Sequence, residues 1–257
     1  MAGLQQYAIL SASSSAKIPS GFTADEMATF PVNAVTSFAA LFDEKGFGFP
    51  APFPGATTPW NFNAKEKTIL VVGGGSSVGK MAIQYAKLAG IGTILTIASA
   101  GRTEELEKLG ATHVIDRHLP AEDIQRQVKE ISGQSGVENI YDCVSWDYTL
   151  PISLLSTTKS SVLLTLHPAE EAEKQAKRLR PKARVQFILG TADFIQPATR
   201  EFWEALPVWV KEGKLAVGKY RVVEGLDLGR IEEGLDSYRD GSAVTPVIVR
   251  IGVFLWC

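Results

Sequence analysis

Seven consecutive residues, Gly73-Gly74-Gly75-Ser76-Ser77-Val78-Gly79, have the types and spacing most able to do chemistry in this sequence. They follow an apolar run, Thr68-Ile69-Leu70-Val71-Val72, and lead at once into a segment of helical periodicity. A strand that ends in a tight glycine turn and passes straight into a helix aims backbone N–H groups and a helix N-terminus at one spot. That spot attracts anions, and a diphosphate suits it well. Strict G-x-G-x-x-G spacing would require glycine at Ser76, so the match is imperfect. Gly73 and Gly74 can still turn sharply, and Gly79 can let the helix lie close to the strand. Ser76 and Ser77 add hydroxyls that can donate to phosphate oxygens. The bland alternative is a turn that only joins strand to helix, because that junction also needs glycines.

The next apolar strand, Gly92 to Ala98, ends in Ser99-Ala100-Gly101-Arg102. A site for an unphosphorylated ribose usually carries a carboxylate here, and none is present in this stretch. A 2′-phosphate is instead held by a guanidinium fork and a hydroxyl, which Arg102 and Ser99 offer. Arg117, just past the third strand, can add a second charge or cover the adenine. The pattern favours NADP(H) over NAD(H). The alternative for Arg102 is a solvated arginine in the first turn of a helix.

Positioning such a turn takes a particular framework. Further strands are read at 113–116, 137–145, 161–166 and 185–189. Helices fall between them, one over Arg102–Leu109 and one over Ala121–Ser132, where Ile124, Val128 and Ile131 share a face. This alternation predicts an α/β fold with a doubly wound parallel sheet of Rossmann type. Residues 46–60, dense in Gly, Pro and aromatics, read as an ordered loop that is either a lid or a plain connection. Ala198 to Lys211 reads as an aromatic helix interrupted at Pro207. Leu228, Ile231, Leu235 and Tyr238 mark an amphipathic helix that stops at Gly241.

At 257 residues the chain can bury a sizeable core in one or two domains. A formal net charge of -2 leaves no electrostatic footprint for nucleic acid or an anionic membrane. No apolar run reaches the length of a membrane span, and the first residues lack the basic and apolar regions of a secretory signal. Two distant cysteines, Cys143 and Cys257, fit a reducing, cytoplasmic setting.

With these residues in view, the chain resembles the medium-chain dehydrogenase/reductase superfamily, and most of all its fungal alcohol dehydrogenase-like branch, which includes enzymes of secondary metabolism. The strings that carry the resemblance are LQQYAILSASSSAKIPSGFTADEMATFPVNAVTSFAALF, the glycine turn, KLGATHVIDRH and VVEGLDLGRIEEGLDSYRDG. It extends from Leu4 to Ile251. The resemblance implies a remnant of a GroES-like catalytic domain over 1–31 and an NADP-binding Rossmann domain over 32–190. It further implies a segment over 191–251 that returns to the catalytic domain. Residues 252–257 depart from the family ending, and a product truncated at both ends is expected, with a short genuine variant as the alternative. In the zinc-dependent branch a cysteine ligand precedes a nicotinamide-touching threonine by four residues. Thr36 matches that threonine and Val32 stands at the ligand position, which implies no zinc.

By this resemblance the cofactor is NADP, with its diphosphate at Gly74, Gly75, Ser76, Ser77, Val78 and Gly79. Its nicotinamide end is expected near Leu166, His167, Gly190 and Thr36. The implied activity is reduction of a carbonyl or an activated alkene of a small-molecule substrate, with no catalytic residue assigned. A trans-acting enoyl reductase or a quinone reductase is the runner-up. A truncated, non-catalytic dinucleotide-binding protein is the alternative from another class. A homodimer is implied by resemblance only.

Overall fold

The computed structural model describes residues 9–239 and 245–251, without the side chains of residues 193, 194 and 237–239. The start of the first resemblance string, Gly241, Cys257 and the rest of the 252–257 tail lie outside the described residues. The chain divides into two compact units, one of residues 32–198 and one of residues 1–31 with 199–257.

In chain order, α1 (Ala24–Ala28) and α2 (Pro31–Phe42) precede β1 (Thr68–Val72) and α3 (Ser77–Leu88). Next come β2 (Thr93–Ala98), α4 (Thr103–Leu109), β3 (His113–Asp116), α5 (Ala121–Ser132) and β4 (Asn139–Asp142). Then follow α6 (Thr149–Leu154), β5 (Ser161–Thr165), α7 (Glu170–Leu179) and β6 (Ala183–Phe187). The remaining elements are α8 (Thr199–Lys211), β7 (Arg221–Glu224), α9 (Leu228–Arg239) and β8 (Val247–Arg250).

The larger unit is built on a six-stranded sheet of order β3-β2-β1-β4-β5-β6, with every pair parallel. The expected Rossmann-type α/β architecture is what the chain adopts. Ile69, Leu70, Val71 and Val72 of β1 are all buried, as a central parallel strand covered on both faces requires. One face packs Leu70, Leu95, Ile140 and Leu163 against Ile124 and Val128 of α5 and the small residues Ala172 and Ala176 of α7. α3 inserts Ile83, Tyr85 and Ala86, all fully buried, and Tyr85 meets Phe38 and Phe42 of α2 edge-on. Residues 46–60 hold no helix or strand; Phe53 rests on the Phe38 ring, while Trp60 is exposed.

β4 ends sooner than its apolar pattern suggests. The Asp142 carboxylate accepts hydrogen bonds from the Val144 and Ser145 N–H groups, at 3.1 and 2.9 Å, and turns the chain away from the ladder.

The other unit contains α1, α8, α9 and the parallel pair β7–β8. Pro207 does not interrupt α8, which runs on through Lys211. Phe202, Leu206 and Trp209 are buried on both sides of the proline, and this burial outweighs a break that costs about 3 kcal/mol in an exposed helix. In α9, Ile231 is buried but Leu228 and Leu235 remain exposed. The face that packs runs through Ile231 and Gly234, where Val247 of β8 comes close to the glycine. An apolar recess of about 240 Å³ is lined entirely within this unit by residues that include Lys17, Met27, Trp203 and Leu206.

Candidate dinucleotide site at the carboxyl edge of the sheet

The strand order reverses between β1 and β4, so the connections after these strands leave in opposite directions and open a crevice at their carboxyl ends. The register aligns the last residues of the strands. Val72 lies beside Ile97 and Asp142, Ala98 beside Asp116, and Asp142 beside Thr165. Residues expected from the sequence to form a site lie in the loops that follow these ends, while Thr36 comes from α2.

The glycine turn has a physical reason at each step. Gly73 has φ 82°, in the left-handed region. A Cβ on Gly79 would collide with the Gly73 carbonyl oxygen and lie 2.8 Å from the Gly74 Cα. The first turn of α3 is therefore pressed against the turn itself. A Cβ on Gly74 would strike the Thr96 hydroxyl, which is buried and donates to the Val71 carbonyl at 2.8 Å. Ser76 is the N-cap of α3, and its Oγ accepts from the Gly79 N–H at 3.0 Å. Its hydroxyl proton remains available for a phosphate oxygen. The N–H groups of Ser77 and Val78 open the helix, where no preceding turn supplies acceptors. Backbone donors, a helix N-terminus and two small hydroxyls fit a diphosphate.

At the end of β2, Ser99 leads into a short 3₁₀ turn, Ala100–Arg102. The Arg102 side chain lies over the glycine turn, with its Cδ 3.2 Å from where a Gly75 Cβ would stand. Its Nη1 is 3.3 Å from Glu105 Oε2, and Lys80 Nζ is 2.5 Å from Glu105 Oε1. Arg117 is exposed just past β3, and its N–H donates to the Ala98 carbonyl. Linear reading missed a carboxylate here. Asp116 Oδ1 accepts from the Ala100 N–H at 3.4 Å and pairs with His118, whose hydrogen bonds hold the carboxyl below its ordinary value. The signal was the register: Asp116 ends a strand whose neighbour ends at Ala98.

The residues expected near the other end of a dinucleotide fall into two groups. A Cβ on Gly190 would collide with the Thr36 hydroxyl, so these two meet; Thr36 Oγ1 also donates to the Val32 carbonyl at 2.6 Å. Val32 itself is an exposed valine. Among the described residues no group of three or more His, Cys, Asp or Glu side chains converges. Leu166 and His167 follow β5 directly. His167 Nδ1 lies 3.0 Å from the Ser145 carbonyl oxygen, which can only accept, so Nδ1 is the donor of this bond. The ring stacks on exposed Trp146, with centroids 3.7 Å apart. Trp146 lies beyond the turn that Asp142 makes, where strand periodicity gave no reason to look.

Asp142 is buried, and its Oδ2 has no hydrogen-bond partner. Burial pushes its carboxyl above the ordinary 3.8, against the pull of the Ser145 and Val144 N–H groups. An acid raised in the folded state costs stability once ionised: the cost is absent below the unfolded value and complete above the folded one. Asp142→Asn keeps an acceptor for both N–H groups and is expected to raise Tm at pH 8. The gain should shrink as pH falls toward 4, and melting curves at both pH values measure it. A variant that melts lower at pH 8 would show that the ionised form is the favoured one. Burial also pushes the Cys143 thiol well above its usual range, which keeps it unreactive.

Comparison with known proteins gives a consistent picture. Residues 77–196 match the family model described as zinc-binding dehydrogenase. A dual trans-enoyl reductase/FAD-dependent monooxygenase of Aspergillus terreus is 28% identical over 242 residues, covering 90% of this chain and 33% of that protein. A dehydrogenase of Emericella nidulans is 27% identical, covering 95% of this chain and 70% of its own length. The crystal structure of CurK enoyl reductase superposes with a TM-score of 0.69 at 20% identity, over 91% of this chain and 64% of the other. The chain thus spans a third of the first relative and about two thirds of the solved structure. Among the described residues no helix is long and apolar enough to cross a membrane. Sheet order, the turn at its switch point and these matches agree: residues 77–196 are similar to the zinc-binding dehydrogenase family, and the chain shares the fold of the solved enoyl reductase.

Proposed function

We propose that this chain binds NADP(H) across the carboxyl edge of its parallel sheet and acts as a zinc-independent oxidoreductase. Its substrate would be a small molecule bearing a carbonyl or an activated alkene. The observation that carries the reading is the glycine turn, with Gly79 pressed on Gly73 and Arg102 lying over Gly75.

In this proposal Ser76, Ser77, Val78 and the backbone from Gly74 to Gly79 hold the diphosphate. Ser99, Arg102 and Arg117 hold the 2′-phosphate. The competing NAD(H) reading draws on Asp116, the carboxylate beside Ala100. Its Oδ1 is already engaged by the Ala100 and His118 N–H groups and the His118 ring, so it has less to offer a ribose hydroxyl. Leu166, Gly190 and Thr36 bound the nicotinamide end. His167, oriented by its Nδ1 bond to the Ser145 carbonyl, lies at the same end. The bound dinucleotide supplies hydride chemistry; the chain supplies orientation and dipoles for developing negative charge. Fungal relatives named as a trans-enoyl reductase and a dehydrogenase support an alkene or carbonyl acceptor of the kind found in secondary metabolism. Cytoplasmic location and a homodimer belong to the same proposal.

Two measurements test it. NADPH should raise Tm more than NADH does, because a ligand that binds only the folded state stabilises it. Loss of NADPH absorbance should follow addition of an enone, a quinone or an aldehyde. Binding without turnover of any of these would assign the chain to non-catalytic dinucleotide binding. No thermal shift with either cofactor would end the reading.

A further inference from the structure

Arg102, which lies over the glycine turn, and Lys80, in the helix that follows it, share one carboxylate. Lys80, in the first turn of α3, and Arg102, at the start of α4, both pair with Glu105, across 25 and three residues of sequence. The contacts are unequal: 2.5 Å to Lys80 and 3.3 Å to Arg102. All three side chains are partly shielded, at 18%, 31% and 38% exposure for Lys80, Arg102 and Glu105. The inequality matters because Glu105 lies beside the arginine assigned to the 2′-phosphate. A bare carboxylate there would repel a group carrying nearly two negative charges near neutral pH.

We infer that Lys80 and Glu105 are positioning residues that set the preference for NADP(H): Lys80 neutralises Glu105, so that Arg102 can exchange its loose carboxylate contact for the 2′-phosphate. The inference rests on the proposed NADP(H) site. Arg102 already lies over Gly75, so it needs to release only a 3.3 Å contact. Lys80 acts through Glu105 and touches no phosphate. Glu105 has two opposed effects, since it keeps Arg102 near the turn and competes for its guanidinium. Because bonds to a phosphate dianion are stronger than bonds to a carboxylate, the exchange runs toward the phosphate.

A double-mutant cycle separates this arrangement from a direct lysine–phosphate contact. Dissociation constants for NADPH and NADH are measured on the full chain for Lys80→Met, Glu105→Gln and the pair together. Lys80→Met should weaken NADPH about tenfold, a typical loss for a charged hydrogen-bonded group, and change NADH less than about twofold. Glu105→Gln should tighten NADPH by about threefold. The double variant should return to the wild-type NADPH value or better. If it stays as weak as Lys80→Met, the lysine contacts the phosphate itself and the inference is overturned. Equal losses for NADPH and NADH would mark a purely structural role and also overturn it. The failure of the parent reading looks different. Wild-type protein would then bind NADH as tightly as NADPH, and Arg102→Gln would leave both unchanged.

Discussion

Gly79→Ala is expected to abolish measurable dinucleotide binding and to destabilise the larger unit by about 1–3 kcal/mol, the usual cost of overpacking. The added methyl would collide with the Gly73 carbonyl oxygen and crowd the Gly74 Cα. Both are backbone, so no flexible side chain can yield. Relief would require α3 to lift from β1, which moves the Ser77 and Val78 N–H groups away from the turn and strains the Ser76 Oγ to Gly79 N–H bond. α3 also carries Ile83, Tyr85 and Ala86 into the core, so the shift cannot be local. Thermal melts with and without NADPH read both effects. An alanine variant that melts as the wild type does and keeps its NADPH shift would show that the helix is not pinned by this contact. Gly218, with nothing within 4 Å of its would-be Cβ and no left-handed φ, is a suitable control for glycine replacement away from the site.

The second large effect concerns Arg102→Glu. Charge reversal should weaken NADPH by about 100-fold while NADH changes by less than about threefold, because a charged hydrogen bond contributes roughly 1.5–3 kcal/mol and each 1.4 kcal/mol is tenfold. Repulsion adds to the loss, since the new carboxylate would stand beside Glu105 in the turn's field. Arg102→Gln removes the charge without adding another and should give a smaller loss with the same selectivity. Titration of both cofactors against both variants measures the effect. Parallel losses for the two cofactors would strip Arg102 of its phosphate role and leave it as a residue that merely packs on Gly75.

Much of the framework was legible because it depends on local pattern. Ile69 to Val72 are apolar at consecutive positions, as a strand buried on both faces requires. Ser76 reads as an imperfect glycine fingerprint in the linear sequence, and the structure makes it the helix cap. The apolar pattern misleads where a polar side chain or tertiary burial decides the outcome. The apolar pattern extends past the end of β4, because a carboxylate at Asp142 captures the Val144 and Ser145 N–H groups. Pro207 looked like a helix break, and buried neighbours on either side keep α8 whole. The apolar spacing of Leu228, Ile231 and Leu235 suggested one buried stripe, but the contact with β8 falls on Gly234 instead.

The amino-acid order by itself determined that strands and helices alternate, that a glycine turn opens α3, and that an arginine rather than a carboxylate ends the loop after β2. These follow from spacing along one chain, where neighbours in sequence are neighbours in space. Only tertiary structure decided which charges meet at that turn. Lys80 and Glu105 are 25 residues apart, Asp116 reaches Ala100 across two strands, and His167 finds the Ser145 carbonyl 22 residues away. Parallel strands bring their carboxyl ends to one edge however far apart they lie in sequence. The electrostatics of the site therefore come from sheet order and register, which no local pattern encodes.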